Sequence, residues 1–525
     1  MSQWHRLLFF ALLGLIFAHA FITTVMRSSA TAVPQFLLAL SFLPDTGAYR
    51  DYEACGAKLD VSLDWHPPPK TQVNDLDKVL HSQGVYGFIF NSSDGPKNDY
   101  NFCNMPRANP ETYRVPGERY TLEYVEVVSR HHKRTPYAAN LLSEEEMGAW
   151  ACDDEMMFYG AAPIRRGTAS TYWTVYSTDF NPFSPNGTNV NCQFPQITSD
   201  GLFDSYRHGT DMRAVYVDLL EWYPETYEQY TMHYRVTNNH ITSQVASRMI
   251  LGSWREQESQ QVAILVQPAQ FDSLEPRYPC PAAKRLLDSY GPGSDSSQWQ
   301  EHLTQSAALK QRLDSITGVD PKDNAWSDSW DHYFDNLAAR TCHHKPLPCS
   351  KDDPSNCVTQ EDADHVFRLG QYEYSYIYRD SPESLRASVA SYGVYFAELV
   401  QNLRHMMETQ DAADEPTTSS RMQWRVNIAH DGSIARILSI LQVSQMVWPG
   451  MGAEVIFELY SKEPERAGGM KCYYLRVLWG GQVLRSSHPD FRYFDMIPVG
   501  TFLAYVDGLV GIKGEKIPGL CAGNL

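Results

Sequence analysis

The sequence predicts an α/β protein, a mixed and mainly parallel sheet flanked by helices, with an inserted α-rich cap domain. Three observations carry the prediction. A unit of strand, charged residues and helix recurs three times along the chain. The long stretches between these units read as helices and turns, not as further strands. The composition is that of a globular chain with a large core: 43% hydrophobic, 12% aromatic, 20% charged, mean hydropathy −0.40. It matches neither a disordered chain nor one that crosses a membrane many times.

The first unit is Thr121 to Val128, β-branched and aromatic as a strand requires, with Arg130-His131 at its end. The second is Tyr230 to Tyr234, ending in Arg235, with a helix predicted from Ile241 to Leu251. The third is Trp424 to Ala429, ending in His430-Asp431, with a helix from Ser433 to Val443. Two more strands follow, Ala453 to Tyr460 and Tyr473 to Trp479, and Gly480-Gly481 predicts a tight reversal. The α/β core is therefore placed at about 119–140, 205–255 and 419–515 of a region spanning 119–525. Residues 141–204 and 256–418 are read as the cap insertions, the latter with helices at Asp362 to Arg379 and Pro382 to Glu408. Residues 21–118, broken by Trp65-His66-Pro67-Pro68-Pro69, form an irregular region that packs on the core. Ligands of open α/β sheets bind outside the carboxyl ends of the strands, so the three charged ends are expected to share one crevice.

Residues 1–20 predict a secretory signal peptide: a basic flank at Trp4-His5-Arg6, an apolar run from Leu7 to Phe17, and Ala18-His19-Ala20 as the cleavage site. A single N-terminal membrane anchor is the alternative, because apolar character continues to Met26, and about 20 residues can span a bilayer. His19, Thr23 and Thr24 interrupt that run and favour cleavage, which leaves no stable membrane association. Ten cysteines, an even set spread over the chain, are expected to pair as disulfides outside the cytosol. Asn91 and Asn186 head glycosylation sequons, so the expected location is outside the cell or within the secretory or vacuolar pathway. The net charge of −18, with no Lys/Arg block to offset it, excludes a nucleic-acid partner. It also means that any phosphate group must be held by a small local cluster of arginines.

Such a cluster exists. In Arg130-His131-His132-Lys133-Arg134-Thr135-Pro136, two guanidiniums that match phosphate oxygens bidentately flank an imidazole able to attack phosphorus. A basic surface turn and a dibasic processing site are the blander readings. Arg235 adds a fixed cation, and His430-Asp431 adds a second imidazole beside a carboxyl group that could protonate a leaving oxygen. Arg207-His208-Gly209 imitates the motif but lies in a predicted helix without a following Arg-x-Pro, and Cys342-His343-His344 reads as part of a disulfide loop, not a metal site. No zinc-protease, nucleophile-elbow, P-loop or dinucleotide motif is present in the sequence.

Taken together, these residues resemble the histidine acid phosphatases, branch two of the histidine phosphatase superfamily. Their pattern is an early R-H-G-x-R-x-P, a mid-chain Arg in a strand–helix turn and a late H-D. The resemblance runs from about Glu123 to Val510 and includes Gln196-Ile197-Thr198-Ser199-Asp200-Gly201 and Trp448-Pro449-Gly450. It implies a phosphoglycerate mutase-like core and an acid phosphatase that needs no metal or other cofactor. His131 would become a phosphohistidine, with Asp431 as general acid and Arg130, Arg134, Arg235 and His430 binding the phosphate of a phosphomonoester. His132 departs from the family's Gly. Two alternatives stay open: a phytase or other inositol or sugar polyphosphate phosphatase, which Lys133 near the pocket would favour, and a secreted phosphate-binding pseudoenzyme.

Overall fold

The structure is a computed structural model that describes residues 52–86, 96–97, 102–152, 157–159, 172–176, 191–254, 262–411, 422–464 and 470–523. The predicted signal peptide and both glycosylation acceptors, Asn91 and Asn186, lie outside the described residues. The central sheet contains β1 (Tyr120–Arg130), β2 (Met232–Val236), β3 (Ile264–Val266), β4 (Trp424–Ala429), β5 (Glu454–Lys462), β6 (Cys472–Trp479), β7 (Gln482–Val483) and β8 (Ile497–Pro498). Its spatial order is β7-β6-β5-β1-β4-β2-β3, with β8 also pairing with β6. β1, β4, β2 and β3 run parallel, and β5 and β6 extend the sheet antiparallel. The predicted reversal is a hairpin in which Gly480 and Gly481 take φ of 58° and 76°, a region that glycine enters without steric cost.

The alternating side chains of each strand divide between two cores, as the two-residue period requires. Val125, Val127, Tyr234, Val236, Val426 and Ile428 pack under α1 (Ser199–Arg213) and α2 (His240–Ser253). Tyr124, Val128, Ala429, Phe457 and Leu475 face the other way. A separate cluster around Phe334, Leu337, Phe367 and Trp448 belongs to the helical insertion, including α4 (Asp331–Cys342) and α5 (Gln360–Tyr378), which follow α3 (Pro281–Tyr290). After these come α6 (Pro382–Asp411), α7 (Asp431–Ile440) and α8 (Val499–Val510).

The insertion is smaller than the sequence boundaries suggest. β3, inside the stretch assigned to the cap, pairs with β2 at the edge of the sheet. Tyr392, Phe396 and Leu403 of α6 share a core with Phe457, Leu475 and Phe502, so this helix covers the sheet. Apolar spacing shows that a helix buries a face but does not name its partner.

All ten cysteines are paired, as 55–472, 103–342, 152–192, 280–521 and 349–357. Among the described residues no helix is long and apolar enough to cross a membrane.

Candidate active site

The parallel strands end almost level. Arg130 of β1 lies opposite Ala429 of β4, and Ile428 opposite Val236 of β2. The next residues of the three strands, His131, His430 and Thr237, therefore emerge along one edge. The first loop is fixed by its backbone: Arg130 N donates to Ala453 O at 2.7 Å, His131 N to Ala429 O at 3.1 Å, and Thr135 N to Gln196 O at 2.9 Å.

Arg130 is 1% exposed. Its Nη2 is 2.9 Å from Asp431 Oδ2, its Nη1 donates to Pro449 O at 2.6 Å, and its guanidinium lies 5.2 Å from the Phe102 ring. Arg134 is clamped by Asp335, with Nη2 to Oδ1 at 2.9 Å and Nη1 to Oδ2 at 3.4 Å. Asp335 also accepts from Tyr137 N at 3.2 Å and Asn140 Nδ2 at 2.7 Å. The Nε–H groups of both arginines are buried without a hydrogen-bond partner, so each guanidinium keeps donor capacity in reserve.

His131 lies between these cations. Its Nδ1 is 3.0 Å from His132 O, which can only accept, so Nδ1 carries the proton and Nε2 keeps its lone pair. Burial, reinforced by Arg130, Arg134 and His430, holds its basicity well below the usual imidazole range. The result is a neutral ring beside fixed positive charge. The ring of His430 is centred 5.5 Å away, and His430 Nε2 lies 2.9 Å from Thr237 Oγ1 and 3.5 Å from Glu275 Oε2. Asp431, the first residue of α7, accepts from Gly432 N at 2.7 Å and Trp448 Nε1 at 2.8 Å. Burial alone would raise its pKa, but Arg130, the Trp448 hydrogen bond and Arg134 together hold it below the usual carboxylate range.

Five of the six predicted residues thus converge: Arg130, His131, Arg134, His430 and Asp431. Arg235 does not join them. It lies within β2 rather than beyond it, and its Nη1 donates to Glu398 Oε2 at 2.9 Å. Its Nη2 meets Ser273 Oγ at 2.8 Å, Asp272 Oδ1 at 3.3 Å, and Gln267. With its charge committed on the flank of the sheet, Arg235 is dropped from the phosphate-binding set. Lys133 also differs from expectation: its Nζ pairs with buried Asp204 of α1 at 2.9 Å. Asp335, Thr237 and Glu275 were missed as site residues, because single polar residues scattered over helices and loops carry no local signal, and Trp448 was read only as part of a supporting motif.

The substitution of His132 for Gly is absorbed by a buried chain. His132 Nε2 lies 3.1 Å from His208 Nδ1, and His208 Nε2 lies 2.9 Å from Glu454 Oε2. All three are at most 1% exposed, and Ala108 N donates to the other oxygen of Glu454 at 2.6 Å. Gly452, at φ +69°, makes the room, since a Cβ there would stand 2.4 Å from the His132 ring. The imitation motif at Arg207-His208-Gly209 is helical as predicted, and its histidine supports the active loop from behind. Cys342 is disulfide-bonded to Cys103, and His343 contacts Thr198 Oγ1 at 2.8 Å and Ala339 O at 2.7 Å.

A doubly flanked sheet presenting a neutral histidine among arginines at its strand ends defines the class of protein, and comparison supplies the family. The chain matches the family model of the histidine phosphatase superfamily (branch 2) over residues 121–479 and belongs to that family. Over 354 residues it is 23% identical to 2-phosphoxylose phosphatase 1 of Danio rerio, covering 60% of this chain and 64% of that relative, less than two thirds of its length. Among solved structures it is similar to the Klebsiella sp. ASR1 phytase, at 16% identity, TM-score 0.42, and 78% and 98% coverage of this chain and that one. It is also similar to the Hafnia alvei phytase in complex with myo-inositol hexakis sulphate, at 13% identity, TM-score 0.44, and 75% and 98% coverage.

Proposed function

We propose that this protein is an exported phosphomonoester hydrolase that acts through a phosphohistidine on His131. The observation that carries the reading is the tautomer of that ring. Its proton is fixed on Nδ1 by His132 O, which leaves Nε2 as a free nucleophile between two buried guanidiniums. Arg130, Arg134 and His430 hold the phosphate oxygens. His131 Nε2 forms a bond to phosphorus as the bond to the ester oxygen breaks, and Asp431 gives its proton to that oxygen. Water, losing a proton to Asp431, then releases inorganic phosphate and restores the imidazole.

Asp431 is paired with Arg130, which helps to hold its carboxyl ionised. A phosphate group that takes over Arg130 removes this partner and places an anion beside the carboxyl, and both effects raise its proton affinity. A substrate arriving as the monoanion, the form that prevails in mild acid, brings the proton with it. Five disulfides fit a chain that matures in an oxidising compartment.

The ion pair of Lys133 with Asp204 and the net charge of −18 favour a substrate with a single phosphate over a polyphosphate. The relative that acts on phosphoxylose makes sugar monophosphates the first substrates to try. The test is hydrolysis of p-nitrophenyl phosphate near pH 5 by the wild type and His131→Ala, followed by xylose 2-phosphate and inositol hexakisphosphate. Activity that survives in the alanine variant would remove His131 as nucleophile. An inactive wild type that still binds phosphate would favour the binding-protein reading, and faster turnover of the hexakisphosphate the phytase reading.

A further inference from the structure

Arg130, Arg134 and Arg235 each face a carboxylate. Arg436, on α7 and five residues beyond Asp431, does not. Its Nη1 donates to Gly432 O at 2.8 Å, its Nε donates to Ser391 Oγ at 3.2 Å, and its guanidinium lies 5.4 Å from the Tyr378 ring. Among the described residues no carboxylate pairs with it. Arg436 is half-buried, and its guanidinium borders a cavity of about 560 Å3 with no counter-charge of its own. Most of the other walls are apolar or aromatic, among them Pro276, Tyr278, Leu287, Ile377 and Tyr378, with Ser388 and Ser391 as polar members. Lys284, also on the lining, already pairs with Asp288 at 2.5 Å.

We propose that this cavity is a binding site, distinct from the phosphate site, for a small organic molecule with one negative charge on an apolar or aromatic body. The two halves of that description follow from the lining. A single guanidinium with no carboxylate partner matches a single anionic group, through hydrogen bonds from a planar fork. The proline, leucine, isoleucine and tyrosine walls give a bare hydrated ion nothing to replace its water, whereas a hydrocarbon body would bury apolar surface against them. The volume lies within the range of small-molecule sites, roughly 300–1,000 Å3. The proposal does not depend on turnover at His131.

The probe is 8-anilinonaphthalene-1-sulfonate, titrated by fluorescence against the full folded chain, with neutral N-phenyl-1-naphthylamine as its uncharged counterpart. The wild type is expected to bind the sulfonate at one saturable site. Arg436→Met is expected to weaken the sulfonate at least tenfold and the neutral dye less than twofold. Ala387→Trp, which fills the cavity from α6, is expected to abolish binding of both dyes and reads the site independently if the arginine variant does not fold. The absence of a saturable site in the wild type, or unchanged binding in Ala387→Trp, would overturn the cavity assignment. Unchanged sulfonate affinity in Arg436→Met would overturn the anionic class of the ligand.

Discussion

Asp335→Asn offers a sharp test of how the site is built, because the affected pair is buried and its geometry is known. Arg134 is 3% exposed and Asp335 8%. The carboxylate faces four donors: two on Arg134, the backbone N–H of Tyr137 and the amide of Asn140. An asparagine has one acceptor oxygen. If that oxygen keeps the crowded Oδ2 position, its NH2 is forced against Arg134 Nη2. The guanidinium then keeps Thr135 O at 3.0 Å and the more distant Oδ2-position oxygen at 3.4 Å as acceptors of Nη1, together with the face of Tyr137. Removing one partner from a buried ion pair costs about 3–5 kcal/mol, and the surviving acceptor reduces this to about 2–4 kcal/mol. At roughly 2–4 °C per kcal/mol, the melting temperature should fall by roughly 5–15 °C. Arg134 would also lose its aim, and losing one preorganised donor to a developing phosphoryl charge should lower kcat/KM by about 100-fold. Circular dichroism melts and initial rates on p-nitrophenyl phosphate measure the two effects. A variant with wild-type melting and kcat/KM within threefold would refute the clamp.

Three further outcomes follow from the same geometry. Gly452→Ala should destabilise by about 2–3 kcal/mol through overpacking and positive-φ strain, and adding His132→Gly should recover at least about 1 kcal/mol, because the added Cβ meets the His132 ring. Additive effects in urea titrations would disprove the coupling. His131 and His132 are held neutral by burial, their folded pKa values lying well below the ordinary 6.5. The unfolded chain therefore binds more protons below that pH, and each ring should lower stability by about 1.4 kcal/mol per pH unit as pH falls from 6.5 toward its folded pKa. Chemical denaturation at pH 7 and pH 5 should show a shallower loss in His131→Gln than in the wild type, and equal losses would contradict the neutral ring. Arg235→Met should leave KM within about twofold while costing about 1–3 kcal/mol, since it removes the cation that faces Glu398 and Asp272. A large rise in KM with intact melting would restore Arg235 to the phosphate site.

The sheet strands that matter, and the chemistry at two of their ends, were legible in the amino-acid sequence. β4 is found at the predicted residues, β1 and α2 within two residues of them, because β-branched runs and helical apolar spacing are local properties. Arg130, His131, Arg134, His430 and Asp431 were legible because they cluster at the carboxyl ends of two strands and their residue types belong together. Which side chains face one another is set by contacts between distant parts of the chain. Asp335 reaches Arg134 across 201 residues, and Glu454 reaches His208 across 246. Arg235 looked equivalent to the other cations in sequence, yet the fold gives it carboxylate partners on the flank of the sheet. His132, which read as a breach of the loop, is accommodated by a glycine more than three hundred residues away. Such pairings depend on long-range packing and charge compensation, which leave no periodicity in the chain.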